Sequence, residues 1–191
     1  MKKPRVAVDM DEVIADALQA ERNWLSSEFG YEWNDDELVG VRLKDLVSSE
    51  HALALEKYLH KGAFFGNLQP IEGSQTALRE MAKHYDVFIT TAAMEYPASL
   101  PHKWAWLAEN FSFLNPLNFV FCGDKSIIRA DFLIDDNVRH FDRFAGQGIV
   151  FSSHHNLLET QFPRLENWND AQSLLSDLAS HTPGAYAQPR S

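Results

Sequence analysis

VAVDMDEVIAD, residues 6–16, passes from a buried strand to a cluster of carboxylates within a few steps. Val6, Ala7 and Val8 suit a strand covered on both faces. Asp9, Asp11, Glu12 and Asp16 follow at once. Mutual repulsion and removal from water both cost free energy, so such a cluster at the mouth of a core needs a compensating partner.

The same shape recurs along the chain. RVAVD (5–9), DVFITT (86–91), NFVFCGD (118–124) and DFLIDD (131–136) are short apolar runs that end in polar or acidic residues, and GIVFSS (148–153) is a fifth. Nearly continuous apolarity predicts buried parallel strands. Helical segments lie between them. GSQTALREMAKHY (73–85) sets Ala77, Leu78, Met81, Ala82 and Tyr85 on one face, and PHKWAWLAENF (101–111) starts with a proline suited to a first helical position. Strand alternating with helix implies an α/β fold with a doubly wound parallel sheet, which binds ligands at the carboxyl ends of its strands.

From Asp11 to Thr90 the chain runs far longer than the roughly 30 residues a βαβ unit needs. The surplus includes ALQAERNWLSSEFG (17–30) and SSEHALALEKYLHKG (48–62), both with helical periodicity and with Gly30 and Gly62 as stops, then the aromatic turn AFFGNLQP (63–70). The expected organisation is a core of residues 1–15 and 73–181, a small helical cap over 16–72 inserted after the first strand, and a loose tail, TPGAYAQPRS (182–191).

Composition narrows the function. The 191 residues are 45% apolar and 23% charged, with a net charge of −10, which argues against a nucleic-acid polymer as partner. Cys122 is the one cysteine, so no internal disulfide forms and a reducing compartment is expected. The N-terminal apolar stretch turns acidic too soon for a signal peptide, and no apolar run reaches the roughly 18 residues of a membrane span. A cytoplasmic protein without a membrane partner is the expectation.

Two unit charges about 5 Å apart repel by roughly 3 kcal/mol at an effective dielectric near 20. If the strands ending at Asp9 and at Asp135–Asp136 are neighbours, a hard divalent cation removes that conflict, and Mg²⁺ prefers one or two carboxylates with waters and a phosphate oxygen. The polar ends of the other strands suit phosphoryl chemistry. Thr90 and Thr91 can donate to phosphate oxygens, and Lys125 can neutralise charge in the transition state. Asp9 can attack phosphorus directly, while Asp11 can protonate the leaving oxygen and then deprotonate water.

DMDEV, ITT, DK and LIDD together resemble the four motifs of the haloacid-dehalogenase (HAD) superfamily of phosphotransferases. Within it, DMDEVIAD, the FF-NL-P-EG pattern before a helix, and DKSIIRADFLIDD resemble the 5′(3′)-deoxyribonucleotidases, over about residues 5–140. The resemblance implies a HAD-like core and Mg²⁺-dependent hydrolysis of nucleoside monophosphates, deoxyribonucleotides preferred. It implies Asp9 as nucleophile and metal ligand, and Asp11 as acid/base and metal ligand through its backbone carbonyl. Thr90 and Lys125 would hold the phosphoryl group, Asp136 would bind metal, and Asp135 would support Asp136 and Lys125. Members are often homodimers. Four positions depart from the family pattern: Glu12 where glycine is common, Ala17 where an aromatic often lines the nucleoside pocket, Asn137 where animal members have arginine, and Glu72 where proline is frequent. All catalytic groups remain; the departures bear on the leaving group.

Plainer readings stand beside these. The aspartates can cap helices, Thr90 and Thr91 can be ordinary strand residues, and Lys125 a surface lysine. Phe64 and Phe65 either line the substrate pocket or pack the cap on the core. Trp24, Trp33, Trp104 and Trp106 read as packing, and Cys122 as inert. Arg42 and Lys44 read as a solvated face. His154 and His155 read as exposed, with no acidic partner near. Asp16 either caps a helix or orients the acidic loop. The competing functions are a phosphatase for another small metabolite such as a sugar phosphate, and a non-catalytic phosphate-sensing module. The latter would need neither Asp11 nor the insertion.

Overall fold

The computed structural model describes residues 3–181; the expected loose tail, 182–191, lies outside the described residues. Six parallel strands form one sheet: β1 (Arg5–Asp9), β2 (Asp86–Thr91), β3 (Phe119–Phe121), β4 (Phe132–Asp135), β5 (Gln147–Phe151) and β6 (Arg164–Leu165). Their order is β3-β2-β1-β4-β5-β6. Chain order reverses between β1 and β4, which is where such sheets open a crevice beyond their carboxyl ends. Asp9 ends β1 and Asp135 ends β4, so both flank that crevice. In register, Asp9 pairs with Thr90 and Val8 with Ile134.

Five helices accompany the sheet: α1 (Ala17–Phe29), α2 (Ser49–Leu59), α3 (Ser74–His84), α4 (Leu100–Asn110) and α5 (Ala171–His181). Val6, Val8, Ile89, Ile134 and Ile149 join Leu78, Met81, Leu107, Trp168 and Leu175 in the main core. The alternate residues Ala7, Leu133 and Val150 form a smaller cluster with Phe141 and Phe144. The link between β4 and β5 carries no α-helix, only the single helical turn Val138–His140. The Phe141 ring packs on the sheet there, so close to Gly148 that a Cβ would sit 2.5 Å from it.

The sequence reading contains neither β6 nor α5. A two-residue strand has no periodicity to detect. α5 is amphipathic in the usual way, with Ala171 and Leu175 buried along one face. Among the described residues, no helix is long and apolar enough to cross a membrane.

Residues 16–72 carry α1, α2 and several single helical turns. Asp16 caps α1, accepting from the Gln19 amide at 3.0 Å, and Gly30 stops it in the left-handed region (φ 73°). Ser48 caps α2 through the His51 amide at 3.2 Å. Trp24 of α1 stacks on Tyr58 of α2, ring centroids 4.7 Å apart. The two chain passages joining this segment to the sheet are tied to each other. The Asp16 amide donates to Gln69 and the Ile71 amide to Ile14, both at 2.9 Å, with an antiparallel bridge between Ala15 and Pro70. Two buried indoles pin the ends of this stem: Trp168 donates to the Val13 carbonyl at 2.8 Å and Trp106 to that of Leu68 at 2.7 Å. Gly62 (φ 81°) lies so close to the Ala98 carbonyl that a Cβ would come within 2.2 Å of its oxygen.

Candidate active site

The polar ends of β1, β2 and β4 converge. Asp9, Asp135 and Asp136 each place a carboxylate oxygen within 4.8 Å of the others. Lys125, from the single turn after β3, is fully buried and contacts Asp9 and Asp135 at 2.6 Å each. The Asn137 amide donates to the other Asp135 oxygen at 2.9 Å. Asp135 is thereby satisfied by Lys125 and backbone, while Asp9 and Asp136 remain the pair facing the crevice.

Burial pushes the Asp9 carboxyl above its usual range, with Lys125 opposing and Asp135 adding to the shift. Asp136 is pushed up further, by burial and then by Asp135, Glu12 and Asp9. Burial works against the Lys125 charge, yet Asp9 and Asp135 together raise its pKa above the ordinary value. Three buried carboxylates with one lysine thus hold more negative charge than the protein itself neutralises. An all-oxygen donor set of this kind suits a hard divalent cation, so the residues present fit such an ion.

Thr90 lies beside Asp9 in register, and among the described residues its hydroxyl makes only a long contact, 3.5 Å, to the Val8 carbonyl. Thr91 is engaged: its hydroxyl accepts from Lys103 at 2.9 Å. Lys103 also holds Asp11 in a short ion pair through Oδ2 and lies 4.4 Å above the Phe65 ring. Asp11 Oδ1 is buried and makes no hydrogen bond among the described residues. Of the two expected pocket aromatics, Phe65 therefore adjoins the acid loop. Phe64 instead packs against Tyr58 and lines a surface hollow of about 420 Å³ with Trp24 and Asn67.

One expectation is overturned. His155 is not an exposed residue without an acidic partner. Its Nε2 is buried 3.3 Å from Asp136, and its Nδ1 is 3.8 Å from Glu12 and 3.1 Å from the Ser153 hydroxyl. The expectation fails for His154 as well: it is half-buried and its Nε2 lies 3.7 Å from Asp35. The acids that meet His155 come from the loops after β1 and β4. Burial, and then Arg42, hold the His155 pKa down at about 4, so the ring is neutral at pH 7. Glu12 sits in the left-handed region (φ 58°), where glycine is the relaxed choice, and its carboxylate accepts a short hydrogen bond from Ser153.

Lys103 and Glu21 are the other groups the sequence reading missed. Lys103 shares the inward face of α4 with Trp106 and Leu107, a lysine at a core position, which is a signal in itself. Glu21 lies on α1 between Ala17 and Leu25, both buried, at helical spacing. Burial first, then Glu12 and Asp11, push its carboxyl up to about 8. Arg42 is exposed, as expected, although its charge reaches Glu12, Glu21 and His155. A hollow of about 340 Å³ beside Glu12 is lined by Arg22, Ser153, Phe151 and Trp168, but by none of Asp9, Asp11, Thr90 and Lys125.

The raised Glu21 pKa has a consequence for stability. The folded state binds this proton more tightly than the unfolded chain does, so stability falls as pH rises from about 4.5 to about 8. Glu21→Gln is expected to change the thermal midpoint little near the lower limit and to raise it near the upper one. Scanning calorimetry of the metal-free protein across that window checks this; equal midpoints for both proteins at high pH would refute it.

Comparison with known proteins adds to this geometry. A family model described as "5' nucleotidase, deoxy (Pyrimidine), cytosolic type C protein" matches residues 3–181. A relative from Bacillus subtilis named 5'(3')-deoxyribonucleotidase is 36% identical over 184 residues, covering 92% of this chain and 99% of the relative. One from Staphylococcus epidermidis, provisionally given the same name, is 38% identical over 178 residues, covering 93% and 99%. Among solved structures, a provisionally assigned phosphatase from Clostridium difficile superimposes with a TM-score of 0.54 at 14% identity, covering 92% of this chain and 99% of that one. The HAD hydrolase YfnB from Bacillus subtilis, also provisionally assigned and bound to magnesium, gives 0.51 at 12%, with the same coverage. At these identities the two structures speak for a HAD-like fold.

Proposed function

Because this chain belongs to the family of cytosolic type C deoxynucleotidases, we propose that it is a Mg²⁺-dependent phosphomonoesterase that hydrolyses deoxynucleoside monophosphates through an aspartyl-phosphate on Asp9. The observation that carries the reading is the meeting of Asp9, Lys125 and Asp136 at the reversal point of the sheet, with Asp11 two residues beyond the nucleophile. The Asp9 and Asp136 carboxylates and the Asp11 backbone carbonyl would hold the cation. When bound, the cation supplies positive charge to the phosphoryl oxygens.

The residues of the chain then divide the work. An Asp9 oxygen attacks phosphorus, and the bond from phosphorus to the leaving oxygen breaks. Asp11 delivers its proton to that oxygen, so the product alcohol departs neutral. Asp11 next takes a proton from water, the resulting hydroxide attacks phosphorus, and Asp9 is released as a carboxylate. Lys125 uses two of its N–H groups on Asp9 and Asp135, which leaves a third for a phosphoryl oxygen. The Thr90 hydroxyl is free to turn from its long contact with Val8 towards the same group. We read residues 16–72 as a cap that shields this chemistry from water, with Phe65 at its inner edge. The single cysteine supports a reducing, cytoplasmic setting.

A substrate panel tests the reading. With Mg²⁺, kcat/KM for deoxynucleoside 5′- and 3′-monophosphates is expected to exceed that for sugar phosphates by at least about tenfold. Chelation by EDTA is expected to lower activity by at least about 100-fold, reversibly on adding Mg²⁺. Equal turnover of sugar phosphates would replace the nucleotidase reading by that of a broader phosphatase. A trapped phosphoenzyme without turnover would point to a phosphate-sensing module.

A further inference from the structure

Lys103 stands apart from the reaction described above. It is 1% exposed, on the buried face of α4, and every direction its ammonium can donate is already used. One N–H meets Asp11 Oδ2, one meets the Thr91 hydroxyl at 2.9 Å, and the third side lies over the Phe65 ring at 4.4 Å. Lys125 differs in keeping a donor free. Lys103 is therefore built to hold protein groups, not substrate.

Asp11 carries the complementary asymmetry. Lys103 clamps Oδ2, while Oδ1 is buried without a hydrogen-bond partner among the described residues. A buried carboxylate oxygen without a donor is costly and persists where a ligand completes it. We propose that Lys103 is a positioning residue that fixes Asp11 by one oxygen and so presents the other to the leaving oxygen of the phosphomonoester. The proposal rests on the reading of Asp11 as acid/base. A side chain held at one end loses little further freedom on reaching the transition state, which is the source of its rate advantage. Phe65 and Thr91 set the ammonium in place, so the clamp joins α4, the end of β2 and residues 63–66.

The test uses leaving groups that differ in their need for a proton. A deoxynucleoside 5′-monophosphate releases an alkoxide, which must be protonated; p-nitrophenyl phosphate releases a stable phenolate, which need not be. With saturating Mg²⁺, Lys103→Met is expected to lower kcat/KM by about 100-fold for the nucleotide and by less than about tenfold for the aryl ester. Lys103→Arg, which keeps the charge but not its position, should show the same asymmetry at smaller size. If Lys103→Met gives too little folded protein, the arginine variant carries the test alone. An equal fall for both substrates, or none for either, would overturn the proposal. Asp11→Asn serves as reference. Asymmetry in Asp11→Asn without asymmetry at Lys103 removes this inference alone; no asymmetry in Asp11→Asn removes the acid/base reading and the inference with it.

Discussion

Asp9→Asn should abolish turnover, with kcat reduced by at least about four orders of magnitude while the fold survives. An amide oxygen is a far weaker nucleophile than a carboxylate, so the covalent step is lost and not merely slowed. The substitution is nearly isosteric, and residue 9 is buried at the end of the central strand, so secondary structure should be unchanged by circular dichroism. Loss of one charge from the acid cluster should also weaken Mg²⁺ binding, seen as a smaller metal-induced rise in thermal midpoint. Residual activity above about 1% at saturating Mg²⁺ would mean that another group attacks phosphorus, since removal of a covalent nucleophile leaves far less.

Lys125→Met carries the second large effect, on stability. Lys125 is fully buried with two carboxylate partners at 2.6 Å, and no other cation contacts Asp135 among the described residues. Removing one member of a buried ion-pair network leaves uncompensated charge and costs about 3–5 kcal/mol. Urea unfolding in EDTA should show a loss of that size. Adding Mg²⁺ should recover part of it, because the ion replaces missing positive charge beside Asp9. The double substitution Lys125→Met with Asp135→Asn should be more stable than Lys125→Met alone, since the orphaned anion is gone. A loss below about 1 kcal/mol would show that buried ion pairing is not what holds this end of the sheet together.

The legibility of the molecule was uneven, for physical reasons. β1, β2 and β4 are covered on both faces, and such strands write themselves as unbroken apolar runs. Local sequence could therefore set Asp9, Asp135 and Asp136 at strand ends, but their meeting depended on β1 and β4 being neighbours, which the sheet order supplies. α1 announced its end through Gly30, whereas α2 ends at Leu59 with His60 as its cap, short of the expected stop at Gly62, which instead leads into the turn Ala63–Gly66. His155 could not be placed in this way. Its partners Glu12 and Asp136 come from the ends of two other strands, and no local pattern encodes that meeting. Lys103 was hidden differently. In PHKWAWLAENF the lysine falls on the same helical face as Trp106 and Leu107, so its inward position was legible only once that face was known to be the buried one. Only the burial of Trp106 and Leu107 beside it shows which way α4 faces.

The paired hydrogen bonds between Asp16 and Gln69 and between Ile14 and Ile71 act like a clasp on a purse. Once they form, the residues between them are a closed ring whose ends are fixed whatever its circumference. Doubling the length of a flexible ring adds only about 0.6 kcal/mol of closure entropy. Evolution can therefore lengthen, shorten or redecorate that ring, Phe65 beside Lys103 apart, without disturbing the spacing of Asp9, Asp11 and Asp136.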